Sequence, residues 1–233
     1  MTWHGEFAFG PAALVFRGDS AENRLHAHAA VQCVYSAQGV HLQDASGTEF
    51  HCPGWMICSG TTHRLAPVAG LVLLLVEPQS PLGQSLAARH PAEPIAPLDD
   101  AVAAIVARSP PIETLLTSLE IRVAARATTL DPRISKALDM LDVVQARDPA
   151  TVAAERAGIS PSRLRALCRQ QLGVPFSKLV LWRKVRQACL AMGRGESLAQ
   201  AAVAAGFADQ AHLTRTMSDV IGLTPGEAAR VSD

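Results

Sequence analysis

Aromatic and charged residues are both scarce in this chain of 233 residues, at 4% and 18%. The 21 Lys and Arg balance the 21 Asp and Glu, so the net charge gives no indication of a partner of either sign. The longest apolar run, residues 68–76 with one glycine, is too short to span a bilayer and predicts a buried strand. The first residues lack the basic and then apolar layout of a secretion signal. These absences predict a cytoplasmic protein that does not enter a membrane.

Cysteines are few, and no two of them form a C-x-x-C pair. Five is an odd number, which argues against a disulfide framework and against a zinc finger. Cys168 and Cys189 have apolar helical neighbours and are predicted to be buried. Cys52 and Cys58 flank a predicted turn and strand, and a redox role for them stays open, although nothing near them in the sequence indicates a lowered thiol pKa.

The C-terminal half holds two copies of a helix, a glycine-containing turn and a second helix. In the first copy the helix Thr151–Ala157 is followed by the turn Gly158–Ser160 and the helix Pro161–Leu172. Ser160 is a good N-cap, and proline suits the first helical position. The spacing i, i+3, i+4 and i+8 places four residues on one buried stripe: Leu164, Leu167, Cys168 and Leu172. The side chains predicted to face outward are Ser162, Arg163, Ala166, Arg169 and Gln170.

The second copy spans Ser197–Gly222, with its turn at Gly206–Ala208 and a helix that Asp209 caps and that ends at Ile221. Its predicted apolar stripe consists of Leu213, Met217, Val220 and Ile221. Arg215 lies opposite that stripe, and its neighbours on the outer face are Ala211, His212 and Ser218. By pattern alone, a generic helical bundle explains these stripes as well as a pair of DNA-reading motifs does.

Several strings of residues resemble the AraC/XylS family of bacterial transcription regulators over about Asp131–Arg230. They are GVPFSKLVLWRKVRQA at 173–188, AGFADQAHLTRTM at 205–217 and GLTP at 222–225. The resemblance implies seven helices and two recognition helices, Pro161–Leu172 and Asp209–Ile221, that enter successive major grooves. It gives Gly206, Phe207 and Asp209 structural roles in the second turn and cap.

The chain departs from the family pattern at several positions. Cys168, Met217 and Ala228 stand where aromatic residues are usual, and Ser218 and Asp219 stand where the family is often basic. The second recognition helix is therefore expected to attract phosphate more weakly than the first.

Charge is distributed unevenly between the two halves. Residues 131–233 hold 14 Lys and Arg against 10 Asp and Glu, a net of +4, which leaves 7 against 11, a net of −4, for residues 1–130. Within a helix-turn-helix, basic side chains neutralise phosphates. We predict base-edge or groove contacts from Arg163, Arg169, Gln170, His212 and Arg215. We predict phosphate contacts from Arg165 and Lys178, whereas Lys184 and Arg186 fit plain surface equally well.

The N-terminal segment reads as a small all-β sandwich or barrel, because short apolar runs alternate with Gly, Pro, Ser and Asp clusters. The predicted strands are Ala12–Phe16, Val31–Tyr35, Val40–Gln43, Trp55–Cys58, Arg64–Ala66 and Leu71–Val76. His26, His28 and Gln32 are predicted to share one face of a strand, since alternate residues point the same way. His41 and His51 are predicted to be exposed on a hairpin, and Trp55 to pack against the barrel.

With His63 added, this spacing resembles the cupin, a double-stranded β-helix, over roughly residues 5–80. The resemblance implies that His26, His28 and His63 are metal ligands, with Gln32 in place of the usual Glu. Three imidazoles and an amide oxygen suit Zn²⁺, Ni²⁺ or Cu²⁺. The alternative is a polar pocket without metal.

Between these regions, Pro78–Pro111 is rich in proline and predicts a connector with one or two brief helices. The helix predicted at Ile112–Arg126 covers the barrel core or, by resemblance, mediates dimerisation. A further helix is predicted at Arg133–Arg147. The predicted division is a sensor domain at 1–80, a connector at 81–130 and a DNA-binding domain at 131–233.

The combined pattern predicts a multidomain protein of the α and β class that acts as a sequence-specific transcription regulator. Its predicted partners are double-stranded DNA, a small-molecule or metal effector, RNA polymerase and a second copy of the chain. The alternative is a metal-dependent cupin enzyme that uses His26, His28 and His63, with the helices as an appendage. The absence of Glu at position 32 and of a paired acid and base favours the regulator.

Overall fold

The computed structural model describes residues 3–10, 12–108, 110–123, 130–139 and 148–229. They divide into two compact units. The first combines the described residues of Met1–Thr128 with those of Met217–Asp233, and the second contains those of Thr129–Thr216. The first unit therefore takes in the end of the second predicted recognition helix, and we call it the β unit; the other is the helical unit.

One antiparallel sheet of seven strands forms the β unit, in the order β1-β2-β6-β3-β4-β7, with β5 paired to β3. The strands are β1 His4–Phe9, β2 Ala13–Asp19, β3 Val31–Asp44, β4 Glu49–Ile57, β5 His63–Leu65, β6 Leu71–Val76 and β7 Ile95–Pro97. The long strand β3 pairs with β4, β5 and β6. It therefore connects β1, β2 and β6 on one side of the sheet with β4 and β7 on the other.

Strand β3 unites two runs that the sequence predicted as separate strands. A register shift between Tyr35 and Val40 interrupts its pairing with β4. Gly39 lies in this bulge with φ +88°, a left-handed conformation that glycine adopts at low cost. The bulge breaks the apolar alternation, which is why the sequence pattern looked like two strands.

Three helices cover the sheet: α1 Pro81–Ala87, α2 Asp100–Ala107 and α3 Ile112–Val123. Leu115, Leu119 and Val123 of α3 are buried in the same apolar core as residues of β2, β3 and β6. This confirms that α3 covers the core of the β unit, while a role in dimerisation stays a prediction. Residues 124–126 of the predicted helix lie outside the described residues. The predicted connector contains two brief helices and also β7, a strand that the sequence pattern missed.

The C-terminal helices are α4 Pro132–Asp139, α5 Pro149–Ala157, α6 Pro161–Leu172, α7 Phe176–Gly193, α8 Leu198–Ala204, α9 Gln210–Ile221 and α10 Pro225–Ala229. For the helix predicted at Arg133–Arg147, residues 140–147 lie outside the described residues. The predicted fold class, a β domain followed by a helical part with two helix-turn-helix motifs, is confirmed. None of the helices in the described part of the chain has the length and apolar character needed to cross a membrane.

Candidate DNA-reading helices and a buried histidine cluster

Helix α6 is held in place by caps at both of its ends and by a tight turn before it. Gly158 ends α5 in the left-handed conformation with φ 69°. The Oγ of Ser160 then accepts a hydrogen bond from the backbone N–H of Arg163 at 3.2 Å, and Gly173 ends α6 with φ 72°. These local contacts fix the direction in which α6 leaves the turn.

The outer face of α6 is the one that the sequence predicted. Leu164, Leu167, Cys168 and Leu172 are buried. The exposed residues include all the predicted contacts on this helix, which are Ser162, Arg163, Arg165, Ala166, Arg169 and Gln170. Lys178 is exposed near the start of α7. An arginine can bind guanine bidentately and a glutamine can bind adenine, so this face is chemically equipped to read base edges.

Two carboxylates that the sequence reasoning missed lie near this basic face. Arg133 donates to Asp131 at 2.6 Å and is the main cause that lowers the pKa of Asp131 to about 2, with a smaller contribution from the charge of Arg163. Hydrogen bonds from Thr151 lower the pKa of Asp148, and the charge of Arg165 adds to that effect. Both carboxylates are therefore negative at neutral pH. Their charges attract Arg163 and Arg165 in the free protein.

The second turn is supported by a lysine from α7. Lys184 Nζ donates to the carbonyl oxygen of Gly206 at 2.9 Å and lies 5.9 Å from the ring centroid of Phe207. Asp209 caps α9, because its Oδ1 accepts from the backbone N–H of His212 at 2.7 Å. Lys184 thus has a structural role that the sequence left open.

His212 is oriented by the turn that precedes it. Its Nδ1 accepts a hydrogen bond from the backbone N–H of Ala208 at 3.4 Å, and its ring packs edge-on against Phe207 at 5.2 Å. Because Nδ1 accepts, the neutral ring carries its proton on Nε2. Ala211, His212 and Arg215 are exposed, and Ser218 is half-buried. The predicted contacts of the second helix-turn-helix therefore include hydrogen-bond donors from His212, Arg215 and Ser218, and no lysine.

In the β unit, three histidines form a buried cluster. The backbones of His26 and His63 exchange two hydrogen bonds of 3.0 Å each, which places their ring centroids 4.6 Å apart. The His28 ring lies 5.6 Å from that of His26 and 5.5 Å from that of His63. All three side chains are at most 5% exposed.

Backbone carbonyls determine where each ring carries its proton. The Nδ1 atoms of His26, His28 and His63 lie 2.8, 2.9 and 2.9 Å from the carbonyl oxygens of Arg24, Ala30 and Thr61. A carbonyl only accepts, so each Nδ1 donates and each Nε2 of a neutral ring bears a lone pair. One possible ligand atom from each of these residues lies within 4.8 Å of the others.

Gln32 faces two of these lone pairs. Its Oε1 lies 2.7 Å from Nε2 of His28 and 3.2 Å from Nε2 of His63. Among the described residues its amide nitrogen has no hydrogen-bond partner. An amide oxygen and two imidazole lone pairs are all acceptors, so this arrangement requires a proton or a metal cation between them, or a rotation of the amide that turns its NH₂ toward the rings.

Burial disfavours a proton in this cluster. Burial is the largest cause that lowers the pKa of each of the three histidines, and the pKa of His28 is lowered to about 4 by all causes together. Coulombic interactions with the neighbouring histidines are a second, smaller cause of the lowered pKa for His28 and His63. Neutral imidazoles at neutral pH are the form that binds a metal.

The family model of a helix-turn-helix domain matches residues 153–230, which include α6, α9 and the two turns described above. These residues form an AraC-type domain. A comparison with curated proteins found no match.

Solved structures of ToxT from Vibrio cholerae resemble the whole chain. The apo form with one lysine replaced by alanine has a TM-score of 0.68 at 10% identity and covers 99% of this chain and 100% of its own. Unsaturated fatty acid bound wild-type ToxT has a TM-score of 0.62 at 11% identity, with 97% of each chain covered. Another ToxT structure has a TM-score of 0.60 at 10% identity and covers 94% of this chain and 98% of its own. With its AraC-type helix-turn-helix domain, the chain is a DNA-binding transcription regulator.

The AraC-type domain agrees closely with the sequence prediction, whereas the histidine cluster forms by a different route from the one predicted. No strand runs through His26 and His28; His26 makes an isolated bridge with His63, His28 lies in a loop, and Gln32 is on β3. The side chains meet because backbone pairing with His63 closes the loop. Asn23, which the sequence reasoning did not single out, fixes this loop when its Oδ1 accepts from the N–H of Leu65 at 2.7 Å.

The remaining predicted residues of the β unit lie apart from the cluster. His41 and His51 are exposed and stacked across the hairpin at 3.8 Å. Trp55 is buried and donates its indole N–H to Val40 at 3.0 Å. All five cysteines are free. Burial raises the pKa of Cys52 and of Cys58, which weighs against a reactive thiolate at either position.

Proposed function

We propose that this transcription regulator is controlled by a divalent transition-metal cation that binds His26, His28 and His63 in the β unit. One observation carries the proposal: three buried imidazoles bring one possible ligand atom each to within 4.8 Å of the others, while all three Nδ1 atoms donate to backbone carbonyls. A cation at the Nε2 atoms would satisfy these lone pairs and the oxygen of Gln32 together.

The donor set suits some cations better than others. Ligating histidines commonly donate their second N–H to a carbonyl, which fixes the ring and raises its basicity. Three neutral imidazoles without a carboxylate favour Zn²⁺, Ni²⁺ or Cu²⁺ over Mg²⁺ or Ca²⁺, which prefer oxygen ligands. The Oε1 of Gln32 would supply a weak fourth ligand or orient a bound water molecule.

The DNA-binding part of the proposal assigns different tasks to the two recognition helices. Arg163, Arg169 and Gln170 of α6 would read bases, and Arg165 and Lys178 would contact phosphates. On α9, His212 and Arg215 would add contacts in the next major groove. Because Asp219 is exposed on α9, we expect α6 to contribute most of the affinity.

Gel retardation or fluorescence anisotropy with fragments from upstream of the protein's own gene tests this part. Binding at about 50 mM salt that weakens steeply toward about 200 mM would support it, since phosphate contacts release counterions. No retention of any fragment at low salt would contradict it. The proposal also includes a homodimer that recruits RNA polymerase. Sedimentation would measure the oligomeric state, and transcription in a purified system would measure the effect on RNA polymerase.

The cation part is tested by titrating metal-free protein with Zn²⁺ against a chromophoric chelator. We expect one Zn²⁺ per chain, lost in His28→Ala and in His63→Ala and retained in His41→Ala, a matched control on the exposed hairpin. No uptake by the wild-type chain would leave an organic effector as the candidate, as in the fatty-acid-bound ToxT that shares the fold. Bound metal with turnover of a substrate would instead indicate the cupin enzyme.

A further inference from the structure

The segment that follows α9 lies directly against the histidine cluster. Gly222 is buried and adopts the left-handed conformation with φ +74°. A Cβ atom added to it would lie 3.0 Å from Nδ1 and 3.2 Å from Cε1 of His26, and 3.1 Å from Cβ of Asn23. All three residues belong to the β unit. The α-hydrogen of Gly222 therefore fits beside the His26 ring, whereas a methyl group at this position would require the ring to shift.

The segment on either side of Gly222 is ordered by buried side chains and by hydrogen bonds of its own. Met217, Val220 and Leu223 are buried on either side of Gly222. Beyond them, the Glu227 carboxylate accepts hydrogen bonds from both the backbone N–H and the hydroxyl of Thr224, each at 2.7 Å. A small displacement of the His26 ring therefore acts on a segment with defined structure.

Helix α9 is shared between the two units. Its residues up to Thr216 belong to the helical unit, and those from Met217 onward belong to the β unit. The predicted DNA contacts Ala211, His212 and Arg215 lie on the first part. A twelve-residue helix transmits a shift of its last turn to its first because its hydrogen-bond ladder is continuous.

We propose that cation binding at the histidine cluster is coupled to DNA binding by the second recognition helix through the contact between His26 and Gly222. This inference rests on the proposed cation site and adds its route of regulation. A cation that fixes the His26 ring favours those positions of Gly222 that the fixed ring allows. Because linkage is reciprocal, DNA bound at α9 changes the affinity for the cation by the same factor.

The test compares Gly222→Ala with Gly70→Ala as a matched control. Gly70 belongs to the same unit and has φ +61°, with nothing within 4 Å of an added Cβ. Both variants carry similar backbone strain, but only the first pushes on His26. Each is titrated with Zn²⁺ in competition with a chelator, and its affinity for a retained DNA fragment is measured with and without Zn²⁺.

We expect Gly222→Ala to bind Zn²⁺ at least tenfold more weakly than Gly70→Ala. We also expect Zn²⁺ to change DNA affinity at least fivefold in the wild type and in Gly70→Ala, and less than twofold in Gly222→Ala. Equal Zn²⁺ affinities in the two variants, with equal effects of Zn²⁺ on DNA binding, would overturn the coupling and leave the cation site standing.

Hydrogen exchange in the wild-type chain decides the matter if Gly222→Ala does not fold. Zn²⁺ should slow exchange of the amides at 218–223 several-fold and leave those of α6 unchanged. If Zn²⁺ binds and the exchange at 218–223 does not change, the coupling is overturned. If the wild-type chain takes up no Zn²⁺, the cation site fails and the coupling fails with it.

Discussion

The ammonium group of Lys184 on α7 bonds to the carbonyl oxygen of Gly206 at 2.9 Å, which ties the long helix to the second turn. Replacing Lys184 with Met should lower the free energy of unfolding by about 1 kcal/mol and weaken DNA binding through α9, because the bond is charge-assisted and partly buried. Urea denaturation and anisotropy measure the two effects. Lys136→Met, at an exposed position of α4, controls for the lost charge. If Lys184→Met behaves like this control, Lys184 does not support the turn.

The two predicted classes of DNA contact should differ in their response to base sequence. Arg163→Ala should lose about 1–3 kcal/mol on the preferred site and little on other sites, because base-edge hydrogen bonds are lost. Lys178→Ala should weaken binding to all sequences and reduce the salt slope by about 1, because one phosphate contact is lost. Anisotropy across a salt series and a set of mutated sites separates these outcomes. Equal losses in both variants on every site would contradict the assignment.

Acid should destabilise the metal-free β unit. The pKa of His28 is lowered to about 4, so between pH 6.5 and 4 the unfolded chain binds a proton that the folded chain does not. The contribution of His28 to the free energy of unfolding is therefore present above pH 6.5 and is lost as the pH falls. Between pH 7 and pH 5 the free energy of unfolding should decrease by about 2 kcal/mol because of this group. Urea denaturation at several pH values measures the slope. His28→Gln should flatten it, and an unchanged slope would show that His28 does not cause it.

The buried thiols should resist alkylation in the folded chain. Burial raises the pKa of Cys33 and of Cys189 to about 12, so almost no thiolate forms at pH 8. Cys52 and Cys58 are only partly buried and should react first. Mass spectrometry after brief treatment with iodoacetamide identifies the labelled positions, and labelling in urea provides the reference for full access. Rapid labelling of Cys33 in the native chain would contradict its placement in the core.

A carboxylate at position 32 should strengthen the proposed cation site. Gln32→Glu places a negative oxygen where Oε1 now lies near His28 and His63, which should tighten Zn²⁺ binding and admit harder cations such as Mn²⁺. Gln32→Leu, of similar size, should retain Zn²⁺ but not gain Mn²⁺. Elemental analysis after dialysis against each metal distinguishes the variants. If Gln32→Glu binds no more metal than the wild type, position 32 does not face the site.

Helix α6 could be predicted residue by residue, because its signals are local. Ser160, Pro161 and the 3.6-residue periodicity define α6 from Pro161 to Leu172, and the structure has the same bounds. The β unit could be predicted only in part. Strand β1 becomes recognisable through its pairing with β2, and β7 has three residues that become a strand through pairing with β4. The histidines were identified correctly as neighbours, but the bridge to His63 that joins them depends on a pairing distant in sequence.

The two chain segments of the β unit are synthesised far apart in time. Residues 3–123 emerge from the ribosome long before residues 217–229, yet both belong to one compact unit. The surface beside His26 and Asn23, against which Gly222 later lies, must wait for most of the chain to be synthesised. A nascent chain therefore carries this uncovered surface through most of translation, the stage at which incomplete domains are most prone to aggregate.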